Sequence, residues 1–275
     1  MVGKEPAQNT LTWIDSHCHL DFPEFDVDRE QVIDTCSQQG MVAILVPGVK
    51  TSTWQALRQL VEAQPLLHRA VGLHPMFIEQ HQWGDLAKLE QEIAEFRPVA
   101  VGEIGLDYYL KDRDRLRQRE FFEAQLDMAQ QAKLPVILHV RKAHDEVLQA
   151  LRRRHLPGGV VHAFNGSWQQ ANQYLDLGFK LGFGGVMTHE KARHVRQLAQ
   201  KLPLAAMVLE TDAPDMPPSW GVGQRNSPEN IPLIAQVLAE LTRSSLATIA
   251  LATATNVQTT FSLSLPNHPL HSARP

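Results

Sequence analysis

Thirteen histidines occur in this chain of 275 residues, and several stand beside carboxylates where short apolar runs end. The places are Asp15-Ser16-His17-Cys18-His19, Gly102-Glu103, Leu138-His139, Val161-His162 and Glu210-Thr211-Asp212. A His-x-His pair alone carries little weight, since 13 histidines in 275 residues give about 0.6 such pairs by chance. Taken singly, His139 and His162 read as buried histidines bonded to a neighbour, and Glu103 and Asp212 as helix caps. Jointly the balance reverses. Four imidazoles and two carboxylates, His17, His19, Glu103, His139, His162 and Asp212, would be costly to desolvate together without a cation. Nitrogen and oxygen donors without a thiolate suit Zn²⁺, Mn²⁺ or, less naturally with four imidazoles, Mg²⁺. Six donors exceed one tetrahedral site and Glu103 can bridge, so two divalent cations per chain are expected. Such a pair, about 3.5–4 Å apart, activates water and stabilises both oxygens of an in-line displacement, so hydrolysis is the expected reaction. Asp212 is expected to hold one ion and to orient or deprotonate the attacking water. Glu210, on the same face, either supports a ligand or is a core carboxylate paired with a base.

A repeated strand and helix rhythm would bring these residues together. Apolar, β-branched runs predict strands at 12–17, 42–47, 69–73, 98–103, 135–140, 159–163, 179–184 and 206–211. Between them, Leu86, Leu89, Ile93 and Phe96 in 85–97 and Ile234, Val237, Leu238 and Leu241 in 229–241 recur at helical spacing. Eight βα units in one chain predict a closed (β/α)8 TIM barrel, an α/β fold with its chemistry at the carboxyl ends of the strands. An open doubly wound sheet would need a glycine-rich phosphate turn after its first strand, and none is there. On a strand, His17 and His19 share the inward face while Cys18 faces outward and reads as a small packed hydrophobe. The expected organisation is a single barrel domain over about 12–262, with a short N-terminal extension and a loose C-terminal tail.

Other polar residues are placed to handle a substrate. His74, in Gly72-Leu73-His74-Pro75, ends the third strand, and Arg141 follows His139 by two. Asn165-Gly166-Ser167 opens the unit after the sixth strand, where backbone N–H groups either bind an anion or are capped by Ser167. Arg225 reads from spacing alone as a solvated loop charge. The charged runs from Lys111 to Arg119 and from Arg152 to His155 read as solvated helix faces. With 26 Lys and Arg against 30 Asp and Glu, a net charge of −4, wholesale electrostatic capture of nucleic acid is not expected. An anionic substrate must be held locally. The polar start, the lack of a long apolar run and only two cysteines, Cys18 and Cys36, lead us to expect a cytoplasmic protein with no membrane segment. No obligate protein partner is evident.

Six ordered motifs carry a resemblance over about residues 12–262. They are Asp15-Ser16-His17-Cys18-His19-Leu20-Asp21, Gly72-Leu73-His74-Pro75, Gly102-Glu103-Ile104-Gly105-Leu106-Asp107, Pro135-Val136-Ile137-Leu138-His139, Val161-His162-Ala163-Phe164-Asn165-Gly166-Ser167 and Glu210-Thr211-Asp212-Ala213-Pro214. Together they resemble the signatures of TatD-type metal-dependent deoxyribonucleases, and within that family the sequence is most similar to the YjjV branch of bacterial hydrolases. The resemblance implies an amidohydrolase-like barrel with two divalent ions, His17, His19, Glu103, His139, His162 and Asp212 as ligands and Glu103 as bridge. It also implies that His74 and Arg225 contact a phosphate, and an activity of the 3′ to 5′ deoxyribonuclease kind. The expected partners are therefore DNA ends or short oligonucleotides. A small phosphate ester or a cyclic amide is the alternative substrate, mildly favoured by the acidic charge. A catalytically silent barrel would lack one of the six ligands, and none is missing.

Overall fold

The computed structural model describes residues 11–109 and 112–265. The extension expected before Thr12, apart from Leu11, and the tail expected after Leu265 lie outside the described residues. Eight strands follow one another in space as in sequence, each paired in parallel with the next: β1 (Trp13–Asp15), β2 (Met41–Pro47), β3 (Leu67–Val71), β4 (Ala100–Asp107), β5 (Val136–Arg141), β6 (Gly159–Val161), β7 (Phe179–Phe183) and β8 (Met207–Leu209). Parallel neighbours need long crossovers. These are α1 (Arg29–Gln38), α2 (Trp54–Ala63), α3 (Gly84–Phe96), α4 (Arg115–Ala132), α5 (His144–Leu151), α6 (Trp168–Asp176) and α7 (Arg193–Lys201), followed after β8 by α8 (Ile231–Thr242) and α9 (Leu246–Phe261).

The β1 and β8 edges do not form a regular ladder, yet the barrel is nearly closed. Ser16 N–H donates to Leu209 O at 3.0 Å, Asp212 N–H to His17 O at 2.8 Å and His19 N–H to Ala213 O at 2.7 Å. These bonds tie the chain just beyond each strand end, which is where ligands from both edges are needed.

Alternation sets the two faces of each strand. Ile14, Leu45, Ala70, Ala100, Ile137, Val160 and Val208 form one buried cluster with Ala254, Val257 and Phe261 of α9. The interior is thus packed from near the strand starts, which leaves the carboxyl ends open for polar residues. The opposite strand faces, including Ile44, Val46, Leu138 and Leu181, pack against the helices with Phe121, Leu148 and Tyr174. Cys18 is fully buried in that second cluster, as expected of a small packed hydrophobe.

Four strand ends differ from the sequence reading in ways that matter for the site. β1, β6 and β8 end before their chemical residues, so His17, His19, His162, Glu210 and Asp212 stand on irregular backbone, with Asp212 in the left-handed region at φ 58°. β4, by contrast, runs four residues past Glu103. Its register with β5 shifts between Val101 and Ile104, a bulge of the kind that re-aims a side chain beside a functional site.

Candidate metal centre

Glu103 is the hub of the site. Its carboxylate is 1 % exposed, and its two oxygens face different partners. Oε2 lies 3.1 Å from His17 Nε2 and 3.4 Å from His19 Nε2. Those two nitrogens are 3.3 Å apart, and Asp212 Oδ1 lies 3.5 Å from the first and 3.6 Å from the second. Four donors about 2.1 Å from a shared centre in a tetrahedron have edges of about 3.4 Å. The distances of the two imidazoles to Glu103 Oε2, to Asp212 Oδ1 and to each other are near that edge, and His17, His19 and Asp212 lie close enough together to hold an ion, with the nitrogen and oxygen chemistry a divalent cation takes.

Oε1 of Glu103 faces the other way, 3.2 Å from His139 Nδ1 and 4.0 Å from His162 Nε2. The second oxygen of Asp212, Oδ2, lies 3.6 Å from the same His162 nitrogen. Each imidazole is oriented by its other nitrogen. His139 Nε2 is 3.0 Å from Asp107 Oδ2, and His162 Nδ1 is 3.2 Å from Glu210 Oε1. With the His139 Nε2–H donated to Asp107, the lone pair of His139 Nδ1 points at Glu103 Oε1, while His162 meets Glu210 as an ion-pair contact and turns its Nε2 to Glu103 and Asp212. Acceptor faces acceptor, which a cation between them resolves. Glu210 is thus the orienting partner of His162, and Oε1 also accepts the Ala163 N–H at 2.6 Å. Gly182 leaves the room it occupies, because a Cβ there would meet Glu210 Oε2 at 2.1 Å.

The electrostatics express the same demand for positive charge. Burial works against protonating His19 and His162, yet Glu103, Asp212 and, for His162, Glu210 raise them to about 9 and about 10. Burial also opposes ionising Glu103, but the surrounding His74, His17 and His139 hold it well below the usual carboxylate range. Burial pushes Asp212 up to about 6, against the pull of His162 and His19. Protons supply the compensating charge when no cation does.

His74 takes a different part. Its Nδ1 accepts the Met76 N–H at 3.1 Å, so in the neutral ring the proton sits on Nε2, 3.1 Å from Glu103 Oε1. Burial lowers this histidine to about 4, which keeps it neutral. His74 therefore donates into the site. Although His74, Glu103 and His139 lie close enough to hold an ion, a metal on His74 Nε2 would force the ring proton onto Nδ1 against the Met76 N–H.

Arg141 and Asn165 also line the cavity above these groups, and Arg225 does not. Arg141 lies 3.7 Å over the Tyr109 ring. Asn165 Oδ1 is 3.3 Å from His144 Nε2, and its amide donates to Ala163 O. Ser167 forms a capping box with Gln170, so of the two readings of that triplet the structure displays the cap. Arg225 forks onto both oxygens of Asp28 at 2.7 Å and stacks on Phe25, which leaves its charge neutralised. Asp107 is not among the residues the sequence singles out, because the apolar run predicts strand four to end at 103. The signal was its spacing, four residues beyond Glu103 and so on the same strand face.

The TatD related DNase family matches residues 14–262. The chain is 43% identical over 255 residues to the uncharacterized metal-dependent hydrolase YjjV of Escherichia coli, covering 91% of this chain and 98% of that one. It is 30% identical over 249 residues to the uncharacterized metal-dependent hydrolase YabD of Bacillus subtilis, covering 90% and 98%. The crystal structure of YjjV superposes with a TM-score of 0.88 at 41% identity over 92% of this chain and 98% of that chain. The fold and donor set define a metal-dependent hydrolase. The chain belongs to the TatD family.

Proposed function

We propose that this protein is a two-cation phosphodiesterase of the deoxyribonuclease kind, removing nucleotides from DNA ends or short oligonucleotides in the 3′ to 5′ direction. The observation that carries the two-cation reading is the division of Glu103: Oε2 serves His17 and His19, and Oε1 serves His139 and His162. The cations, Zn²⁺, Mn²⁺ or Mg²⁺, supply Lewis acidity at the phosphoryl group and make water a competent nucleophile near neutral pH.

The chain's own residues do the rest. Glu103 and Asp212 each turn one oxygen to either donor set, which holds the two sets in fixed relation. Asp212 orients the attacking water and accepts its proton. His74 offers its Nε2–H to a substrate oxygen, and Arg141 presents a planar fork for phosphate. Asp107 and Glu210 keep His139 and His162 in the tautomers that face the donor sets. The buried free cysteines, Cys18 and Cys36, fit a reducing cytoplasm.

A second reading keeps the chemistry and changes the substrate to a small phosphate ester or a cyclic amide. The cavity of about 450 Å³, walled by Phe22, Phe77, Phe164 and Phe183, favours that compact alternative, as does the charge of −4. A metal-depleted sample, reconstituted with each cation in turn, would separate the two. It should shorten a 5′-labelled single-stranded oligonucleotide stepwise, and chelation should stop this. Turnover of small esters or a cyclic amide with the oligonucleotide intact would favour the second reading. Hydrolysis indifferent to exhaustive chelation would overturn both.

A further inference from the structure

Between β1 and β8, where the regular ladder is missing, stands a carboxylate that none of the chemistry above uses. Asp15 is fully buried. Its Oδ1 accepts the N–H of His17 at 3.1 Å, on its own side of the seam, and the N–H of Thr211 at 3.1 Å, on the other. Its Oδ2 accepts the Thr211 hydroxyl at 2.6 Å, and that hydroxyl oxygen accepts the Ala213 N–H at 3.2 Å. His17 is thus held by its own amide, and Asp212 is held between two residues that both bond to this network.

We propose that Asp15 is a positioning residue that sets the distance between the β1 donors, His17 and His19, and Asp212 across the barrel seam, and so fixes the affinity and geometry of the cation held there. An ordinary parallel ladder would fix that distance by repeated backbone bonds. Here the strands stop at Asp15 and Leu209, and among the described residues only three backbone bonds cross the seam beyond them. A carboxylate that accepts three donors from the two edges supplies the missing constraint.

Cobalt(II) binding tests this without any substrate, so its outcome is separate from the fate of the deoxyribonuclease reading. Apparent affinity, measured by chelator competition, and the visible absorption bands of the cobalt protein report strength and coordination geometry. Asp15→Ala should weaken cobalt binding by one site about 10–100-fold, the range seen when a ligand's supporting partner is lost, and should alter the bands. Asp15→Asn keeps an oxygen for both amides and should lose less, and Thr211→Val, which removes only the hydroxyl, should lie between wild type and Asp15→Ala. Asn256→Ala is the control, since Asn256 clasps Leu204 O and Met207 O near the start of β8, away from the cluster. It should lower the melting temperature with cobalt affinity and bands unchanged. Wild-type affinity and bands in Asp15→Ala would overturn the proposal, as would an equal loss in the control. If Asp15→Ala does not fold, wild-type values in both Asp15→Asn and Thr211→Val would overturn it.

Discussion

Replacing Gly182 by Ala puts the support of His162 to a quantitative test. A Cβ at 182 would lie 2.1 Å from Glu210 Oε2 and 2.5 Å from its Cδ, and ordinary contact begins near 3.4 Å. The carboxylate must therefore retreat by about 1.3 Å. It is buried, and Oε1 is pinned by the Ala163 N–H at 2.6 Å. Losing a hydrogen bond to a charged acceptor costs about 1.5–3 kcal/mol, and overpacking adds about 1–3 kcal/mol, so Gly182→Ala should destabilise the fold by about 3–5 kcal/mol. Urea unfolding of the metal-free protein measures this directly. Glu210→Ala removes the obstructing atoms, so Gly182→Ala made in that background should cost less than about 1 kcal/mol, a coupling of at least about 2 kcal/mol. Hydrolytic turnover of Gly182→Ala should fall about 10–100-fold, because His162 loses its orienting partner. Costs that add to within about 0.5 kcal/mol would refute the reasoning, since independent sites behave that way.

Glu103→Ala should reduce turnover more than about 100-fold, beyond the 10–100-fold typical of a ligand's outer partners, with a modest effect on folding. Full turnover would exclude a shared carboxylate. Arg225→Ala should change stability by no more than about 1 kcal/mol and leave turnover intact, because the guanidinium is an exposed partner of Asp28. A tenfold fall would mean that Arg225 leaves Asp28 to reach the substrate. Burial lowers His144 below its ordinary value, so the unfolded chain takes up that proton first. The stability owed to neutral His144 should be complete above about pH 6.5 and fade as pH falls toward the lower folded value. The difference in unfolding free energy between wild type and His144→Gln should shrink from pH 7.5 to pH 5.5. A constant difference would contradict this.

Most of the barrel is legible in the sequence, because fully buried parallel strands read as short β-branched runs and the helices between them carry a clear apolar stripe. Runs such as Val42–Pro47 and Pro135–Val140 fall almost on β2 and β5. The ends of β1, β6 and β8 are less legible, since the residues that follow, His17, His162 and Glu210, are as buried as a strand but obey site geometry instead of a ladder. The six side chains that converge around Glu103 could be picked out from their positions at the ends of the apolar runs. What escaped was what holds them: Asp107 behind His139, the bulge that turns Glu103, and the Asp15 clasp across the seam. Each depends on which residues become neighbours when distant segments meet. Arg225 shows the converse, since only the fold brings it against Asp28.

Anomalous diffraction at the metal absorption edge, on crystals of the protein reconstituted with Zn²⁺ or Mn²⁺, tests the two-cation site most directly. The account predicts two peaks about 3.5–4 Å apart, one beside His17, His19 and Glu103 Oε2, the other beside His139, His162 and Glu103 Oε1. A single peak at saturating metal, or peaks away from Glu103, would contradict it.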